Sequence, residues 1–563
     1  MPDQGRRDVL KTLAGLGAAA TVGPQIALGD PAADRYIIDT GDGVSREDKI
    51  RANGTDLEII HELEHVGYLV VRGAEEEAAE IGVDYSPDIE LEREIGAEVP
   101  DELSNLDEAA GSESIAGTED SEPLGHDGPV GDLPYPDAYG WDVDLLNLDE
   151  AHEINQGTKP SGDSVRVGII DDGVYQHEDL DVVDGIDLTG DGEDPYHPNA
   201  QHYHGTHVGG IVAAHDSGGE RGVIEAESSG GGVGVAPQAE LVSLRYFSTA
   251  GAFFGDFAAA VEAAIITDCD VINASLGFVN DLPESRAYLI GYIENYIEDL
   301  ADIADQNGIV WVASAGNSAN NANDLVPGSA KADNVLSVSS VGPTGMSRPD
   351  GEDGRTLGDP LEPATTPANY TTHGNEYVDV SAPGGSWDLY DGLIPFPSFL
   401  RAYLAPDAVL STFPPDTIYA SLYTGNPLPG WIIPRESFVN RENYGFLQGT
   451  SMSAPQVAGV AALLSAENPD WSPREIRRVI KATARNVGKT TYHGHGLVDP
   501  VAALEVDDPA DVRGQLGRPG DRDDRGRNES GGGSPRNSSG GSGGSNRGRS
   551  RGDDDDDDDS RSR

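Results

Sequence analysis

The chain has 563 residues, with 37 Lys and Arg against 99 Asp and Glu, for a formal net charge of −62. A surface this negative repels nucleic acid and anionic lipid, so neither is expected as a partner. With a mean hydropathy of −0.41, and no run of the roughly 18–20 apolar residues that a spanning helix needs, an integral membrane protein is excluded. Apolar residues still make up 37% of the chain, enough for one large core, and the single cysteine, Cys269, rules out an intramolecular disulfide.

Residues 1–30 read as an export signal. Arg6 and Arg7 precede a short, weakly apolar run rich in Ala and Gly, from Thr12 to Ala20. This resembles a twin-arginine signal, which exports folded proteins, and so predicts a secreted protein. Residues 35–95 read as a small α+β unit. Tyr36-Ile37-Ile38 and Tyr68-Leu69-Val70-Val71 have strand composition, residues 75–81 suit a short helix, and Ile89-Glu90-Leu91 alternates like an edge strand. Residues 96–137 have the composition of an acidic linker.

Residues 138–505 hold most of the apolar periodicity. Short apolar runs at 165–170, 241–244, 271–274, 309–313 and 335–341 alternate with helical segments such as 257–266. That alternation predicts an α/β fold with a mainly parallel sheet. The Pro- and aromatic-rich stretch 386–443 reads as a surface excursion with a small core of its own. Trp471-Ser472-Pro473-Arg474-Glu475 reads as a capped helix start, with Ser before Pro and Glu at the third position. Residues 506–563 are low in complexity, end near seven consecutive aspartates and are expected to be disordered.

Three segments of the large domain carry chemistry. In Gly168-Ile169-Ile170-Asp171-Asp172-Gly173 a buried strand ends in an acid, at the sheet edge where α/β folds build sites. In His204-Gly205-Thr206-His207-Val208-Gly209-Gly210 a small-residue helix opens on a histidine. The pair at i and i+3 could ligate a metal, but no third ligand lies at a zinc spacing. In Gly449-Thr450-Ser451-Met452-Ser453-Ala454-Pro455 a helix that is apolar almost all round begins beside Ser451. Its unpaired N–H groups can stabilise an anion there. By itself that segment leaves open whether Ser451 is a cap or a reactive group.

Asp, His and Ser in this order, each in its full context, resemble the subtilisin-like serine proteases, or subtilases, over about residues 138–505. Val310-Trp311-Val312-Ala313-Ser314-Ala315-Gly316-Asn317 and Val271-Ile272-Asn273-Ala274-Ser275-Leu276-Gly277 add two further matches. The resemblance implies a subtilisin-like three-layer α/β fold, preceded by a small α+β propeptide domain, and a serine endopeptidase acting on proteins or peptides. It implies Ser451 as nucleophile, His204 as base, Asp171 as the group that holds the imidazole, and Asn317 as oxyanion donor. Ser275, Leu276, Gly277 and Gly316 would bind substrate. The unit at 35–95 resembles the inhibitory propeptide of the family, making the chain's own propeptide a partner and the product a self-processing zymogen.

The resemblance also brings in structural calcium. Asp179 matches a position that ligates the ion in much of the family, and Asp187 and Asp191 resemble part of a second site. No catalytic cofactor is expected. Asp172 reads as a solvated turn acid, and His207 as a residue packed beside His204. Cys269 reads as a small core residue.

The basic residues are 31 Arg and 6 Lys, and acids run through every segment. That pattern, the single cysteine and the paired arginines bring halolysin-type enzymes of haloarchaea nearest. At molar salt the Debye length falls to about 3 Å and carboxylate repulsion is screened. Two competing readings are a narrow-specificity, kexin-like processing protease and a catalytically silent subtilase fold used for binding. The intact Asp171, His204, Ser451 and Asn317 speak against the second.

Overall fold

A computed structural model describes residues 25–40, 54–81, 85–94, 140–196, 203–215, 234–248, 251–278, 288–322, 329–344, 363–386, 407–414 and 444–514. The paired arginines and apolar run read as an export signal, the 96–137 stretch read as a linker, most of the 386–443 stretch and residues beyond 514 lie outside the described residues.

The N-terminal unit contains β1 (Gln25–Asp39), β2 (Glu58–Leu63), β3 (Tyr68–Arg72), α1 (Glu75–Glu80) and β4 (Tyr85–Glu94). The strands form an antiparallel sheet in the order β2-β3-β1-β4. Alternation along the strands gives the sheet two apolar faces. Tyr36, Ile38, Leu69 and Val71 pack with Ala78 of α1, whereas Ile37, Val70 and Ile89 join a cluster built mainly by the following domain. β1 begins at Gln25, so the expected boundary at residue 30 falls inside a strand.

The large domain runs through α2 (Trp141–Leu146), α3 (Leu148–Ile154), β5 (Arg166–Asp171), β6 (Val182–Asp187), α4 (His204–Ala213) and β7 (Glu240–Arg245). It continues with β8 (Ala252–Phe253), α5 (Phe254–Ile266), β9 (Val271–Ala274), β10 (Gly277–Phe278), α6 (Tyr288–Gln306), β11 (Val310–Ser314), β12 (Val335–Val341) and β13 (Val380–Pro383). β14 (Val409–Thr412), β15 (Tyr444–Leu447), α7 (Thr450–Glu467) and α8 (Pro473–Thr483) complete the elements that bear on the site. Seven strands pair in parallel in the order β13-β12-β11-β9-β5-β7-β6.

The sheet is buried on both faces, as continuous apolar strands require. Val310 and Val312 of β11 face the cluster that includes Val208 and Val212 of α4 and Val457 and Ala461 of α7. Trp311 and Ala313 face the opposite cluster, with Phe257 and Val261 of α5 and Leu300 of α6. The N-terminal sheet docks on this second side. β4 pairs antiparallel with β8, and Gln25 and Ile26 of β1 pair in parallel with Gly277 and Phe278. The residues expected as a free edge at 89–91 therefore have a strand on both sides: β1 on one, β8 on the other.

Arg35 anchors that docking. It is buried, donates to Asp88 at 2.7 Å, pairs with Asp256 of α5, and stacks over the Phe253 ring at 4.3 Å. Asp88 in turn accepts from the Gly255 N–H in the first turn of α5 at 2.9 Å.

Residues 407–414 also differ from expectation. Val409 and Phe413 belong to the main core, and the hydroxyls of Ser411 and Thr412 donate to the His207 and Thr206 carbonyls of α4, both at 2.8 Å. β14 is thus a backing strand for α4 rather than part of a surface excursion, because its apolar side chains enter the main core and its hydroxyls add bonds to carbonyls of the helix. The expected cap of α8 is present: the Ser472 N–H donates to Glu475 at 3.0 Å.

His207 is fully buried, with Nε2 facing the Val409 and Gly445 carbonyls at 3.2 and 3.1 Å. Burial, with the nearby His204 adding to it, pushes its pKa down to about 3. The folded state therefore binds less proton here than the unfolded state between about pH 6.5 and 3, and stability is lost as pH falls through that window. From pH 7 to 5.5 the loss from this one group is about 1 kcal/mol. Melting curves of the wild type and His207→Gln should show the wild-type advantage narrowing over that interval.

Candidate active site

The site forms where the C-terminal end of β5 meets the first turn of α4. Asp171 and His204 are both buried, and His204 Nδ1 lies 2.9 and 2.8 Å from the two Asp171 carboxylate oxygens. Burial pushes the Asp171 carboxyl above its ordinary range; the His204 imidazole opposes this, and the Asp172 carboxylate adds to it. Holding Nδ1 on the acid leaves Nε2 as the working nitrogen, and that atom is buried with no hydrogen-bond partner among the described residues.

Asp172 is not the solvated turn acid that the sequence suggests. It is buried, and its carboxylate accepts the Gly205 N–H at 2.8 Å and the His204 N–H at 3.4 Å. A helix start leaves such donors unpaired and carries partial positive charge, which explains why a second carboxylate is tolerated beside Asp171. Gly205 permits the approach: a Cβ there would lie 2.5 Å from the Gly173 carbonyl.

Ser451 begins α7, a helix buried from Thr450 to Ala466. Pro455 lies four residues on and has no N–H, so it cannot bond the Ser451 carbonyl. The Ser275 hydroxyl supplies that bond instead, at 2.9 Å, and is itself held by Asn273 Nδ2 at 2.8 Å. In return Ser451 Oγ donates to the Ser275 carbonyl at 3.1 Å. Ser275, expected from its motif to contact substrate, thus also ties the end of β9 to the start of α7. Leu276 is buried next to it, and Gly277 pairs with Gln25 of β1.

Asn317 is fixed by Thr450. Its Oδ1 accepts the Thr450 N–H and hydroxyl, both at 2.9 Å, which turns the amide nitrogen to the other side. The Gly316 N–H donates to the same hydroxyl at 3.1 Å. Asp171, His204, Asn317 and Ser451 thus sit on elements that meet on one face of the sheet, at its C-terminal edge.

The acids expected to hold calcium are engaged otherwise. Asp179 is buried and bonded to the Tyr444 hydroxyl. Asp187 and Asp191 both accept from Arg245. Among the described residues no group of three or more His, Cys, Asp or Glu side chains is arranged to hold a metal ion. As arranged, the carboxylates at both places are bonded to side chains of the protein, Tyr444 at one and Arg245 at the other.

The Subtilase family profile (Peptidase S8) matches residues 162–499, more than half of the chain. The chain belongs to the subtilase family. Subtilisin DY of Bacillus licheniformis is 30% identical over 366 residues, covering 64% of this chain and 97% of that protein. A thermostable alkaline protease of Halalkalibacterium halodurans is 27% identical over 359 residues, covering 64% of this chain and 71% of the relative. Fervidolysin from Fervidobacterium pennivorans shares the fold, with a TM-score of 0.51, 19% identity, and coverage of 87% of this chain and 63% of that one. So does an epidermin leader peptide processing serine protease from Staphylococcus aureus, with a TM-score of 0.53, 16% identity, and coverage of 84% and 98%. The subtilisin-like α/β fold expected from the sequence is the one observed, and this subtilase is a serine endopeptidase whose substrates are proteins.

Among the described residues of this subtilase no helix is long and apolar enough to cross a membrane. Cys269 is buried, and burial pushes its thiol up to about 12, so it is an inert core residue. Sequence reading overlooked the supporting roles of Asp172, Asn273 and Thr450. Pro455 offered a signal for one of them, since a proline four residues after a serine leaves a carbonyl to be satisfied from outside the helix.

The role of Asp172 has a direct test. Asp172→Ala should lower stability by about 1–2 kcal/mol, the cost of losing a helix-start acceptor, and should lower kcat because the His204 backbone is released. Denaturant unfolding together with steady-state kinetics on a peptide substrate checks both.

Proposed function

We propose that Ser451, His204, Asp171 and Asn317 form the catalytic apparatus of a secreted, self-processing subtilase that works at high salt. The observation that carries this reading is the buried His204–Asp171 pair, which leaves Nε2 free for a proton. Ser451 Oγ has a single proton, donated to Ser275 in the resting enzyme. When that proton passes to His204 Nε2, Ser451 Oγ attacks the substrate carbonyl carbon. Asp171 stabilises the imidazolium, and His204 then protonates the leaving amine so that the C–N bond breaks. The Asn317 amide nitrogen and the Ser451 N–H hold the oxyanion. Water, activated by the same histidine, releases the acyl group. Apo hydrogen bonds at such sites commonly rearrange when substrate arrives, which accommodates the Ser451–Ser275 contact.

The N-terminal unit acts as the inhibitory propeptide. Support comes from its docking, by strand pairing with β8 and β10 and through Arg35, on the domain that carries the site. Cleavage between residues 95 and 138 then releases the mature enzyme. Export follows the twin-arginine route, consistent with Arg6-Arg7 and the apolar run after them. The excess of acids and the scarcity of Lys support a halolysin-like, salt-requiring enzyme.

Casein hydrolysis in high salt by wild type and Ser451→Ala, with mass spectrometry of both N-termini, tests the mechanism. Wild type should digest casein and start within 95–138; Ser451→Ala should keep the N-terminal unit. Its kcat should fall by about 10⁶, a figure borrowed from subtilisin itself rather than derived for this enzyme. Equal activity in both proteins would remove Ser451 as nucleophile. Independently, activity should decline as salt drops well below about 1 M, where screening weakens; full activity in dilute buffer would refute the salt requirement.

A further inference from the structure

The loop after β6 is the place where family resemblance implies a second calcium, and the acids there are already bonded to a cation of the chain itself. Arg245 closes β7, in register with Asp171 of β5 on one side and Asp187 of β6 on the other. Its side chain is fully buried, while those of Asp187, Asp191 and Glu193 are 15%, 28% and 41% exposed. Nη1 donates to Asp187 Oδ1 at 2.8 Å, to Thr189 Oγ1 at 3.1 Å and to Asp191 Oδ1 at 2.8 Å. Nη2 donates to Asp191 Oδ2 at 2.8 Å and to Glu193 Oε2 at 3.2 Å. Asp191 is thus held by both guanidinium nitrogens, a two-pronged geometry that a single ammonium cannot reproduce.

We propose that Arg245 is the resident cation of the 187–193 loop and takes the place of the calcium ion that the family resemblance implies there. The guanidinium draws in an oxygen from every acid of the loop that a divalent ion would use. A calcium ion entering at these oxygens would strip a buried arginine of its counter-charges, and an unpaired charge in the interior is strongly unfavourable. The loop also folds on itself around the same atoms. Thr189 donates to Asp187, the Gly192 N–H to Asp187, and the Glu193 N–H to Asp191. A partly buried ion pair is screened by salt less than an exposed one, so this arrangement holds at molar salt without a free ion. The Ser243 hydroxyl fastens the far end of the loop at the Pro195 carbonyl, 2.9 Å away.

The test uses the full chain with Ser451→Ala, to stop self-digestion, in constant high salt. Melting temperature is read with a chelator and with calcium, with and without Asp191→Asn. Any calcium-induced rise should be the same in the two proteins, because calcium does not act at this loop. Arg245→Met should melt several degrees lower in chelator, and Arg245→Lys should recover only part of the difference. A calcium-induced rise that Asp191→Asn abolishes would overturn the proposal, and that comparison stands even if the Arg245 variants fail to fold. Arg245→Met melting with its parent would overturn it as well.

Discussion

Two adjacent carboxylates, Asp171 and Asp172, end a strand that is buried on both faces, and much of the site follows from how they are satisfied. Each would be costly in the interior alone. The first turn of α4 resolves both: the His204 ring takes Asp171, and the His204 and Gly205 N–H groups take Asp172. One constraint therefore places a histidine, orients its ring and leaves its second nitrogen without a hydrogen-bond partner among the described residues. The helix must come close for this, which is why Gly205 faces the Gly173 carbonyl. β14 then supports the same helix from behind through Ser411 and Thr412.

The serine side is organised by a different deficit. Pro455 removes one backbone donor from a helix with no access to water, and Ser275 replaces it from β9. That substitution couples the end of β9 to Ser451. Thr450 couples Asn317 to the same helix start. Neither link is strong alone, at about 1 kcal/mol for an ordinary hydrogen bond. Together they limit how far Ser451 and Asn317 can drift relative to each other.

Charge is handled in two regimes. Most of the acids among the described residues are not buried, and repulsion between such surface charges is weakened by salt. Several of the described acids are buried and paired from within the fold: Asp256 meets Arg35 and His61, and Glu262 accepts the His65 and Val66 N–H groups. Asp88 shows the tension most clearly: burial raises it to about 6 even though Arg35 and two backbone donors pull the other way. Buried pairs of this kind are weak contributors to net stability but penalise wrong docking, which suits an interface that must set the N-terminal sheet against α5 in one register.

Five of the seven strands in the parallel sheet were legible as apolar runs, because both their faces are buried and apolar residues predominate in each, with Ser and Asn as most of the exceptions. β6 was not, since it is an edge strand carrying Asp184, Gly185 and Asp187. β2 escaped too: Glu58, His61 and Glu62 hide its pattern, as strand-strand pairing at the rim tolerates polar side chains. The motifs around Asp171, His204, Asn317 and Ser451 could be read directly, because close packing at each of them restricts the residues on either side. By itself, then, the sequence determined the fold class and the reaction family. The tertiary structure alone decided that Asp172 is buried under a helix, that Ser275 stands in for a missing N–H, that β14 belongs to the core, and that Arg245 gathers the loop acids. Those four depend on groups 32 to 206 positions apart in the chain meeting in space, and no local pattern records which distant donor satisfies a buried acceptor.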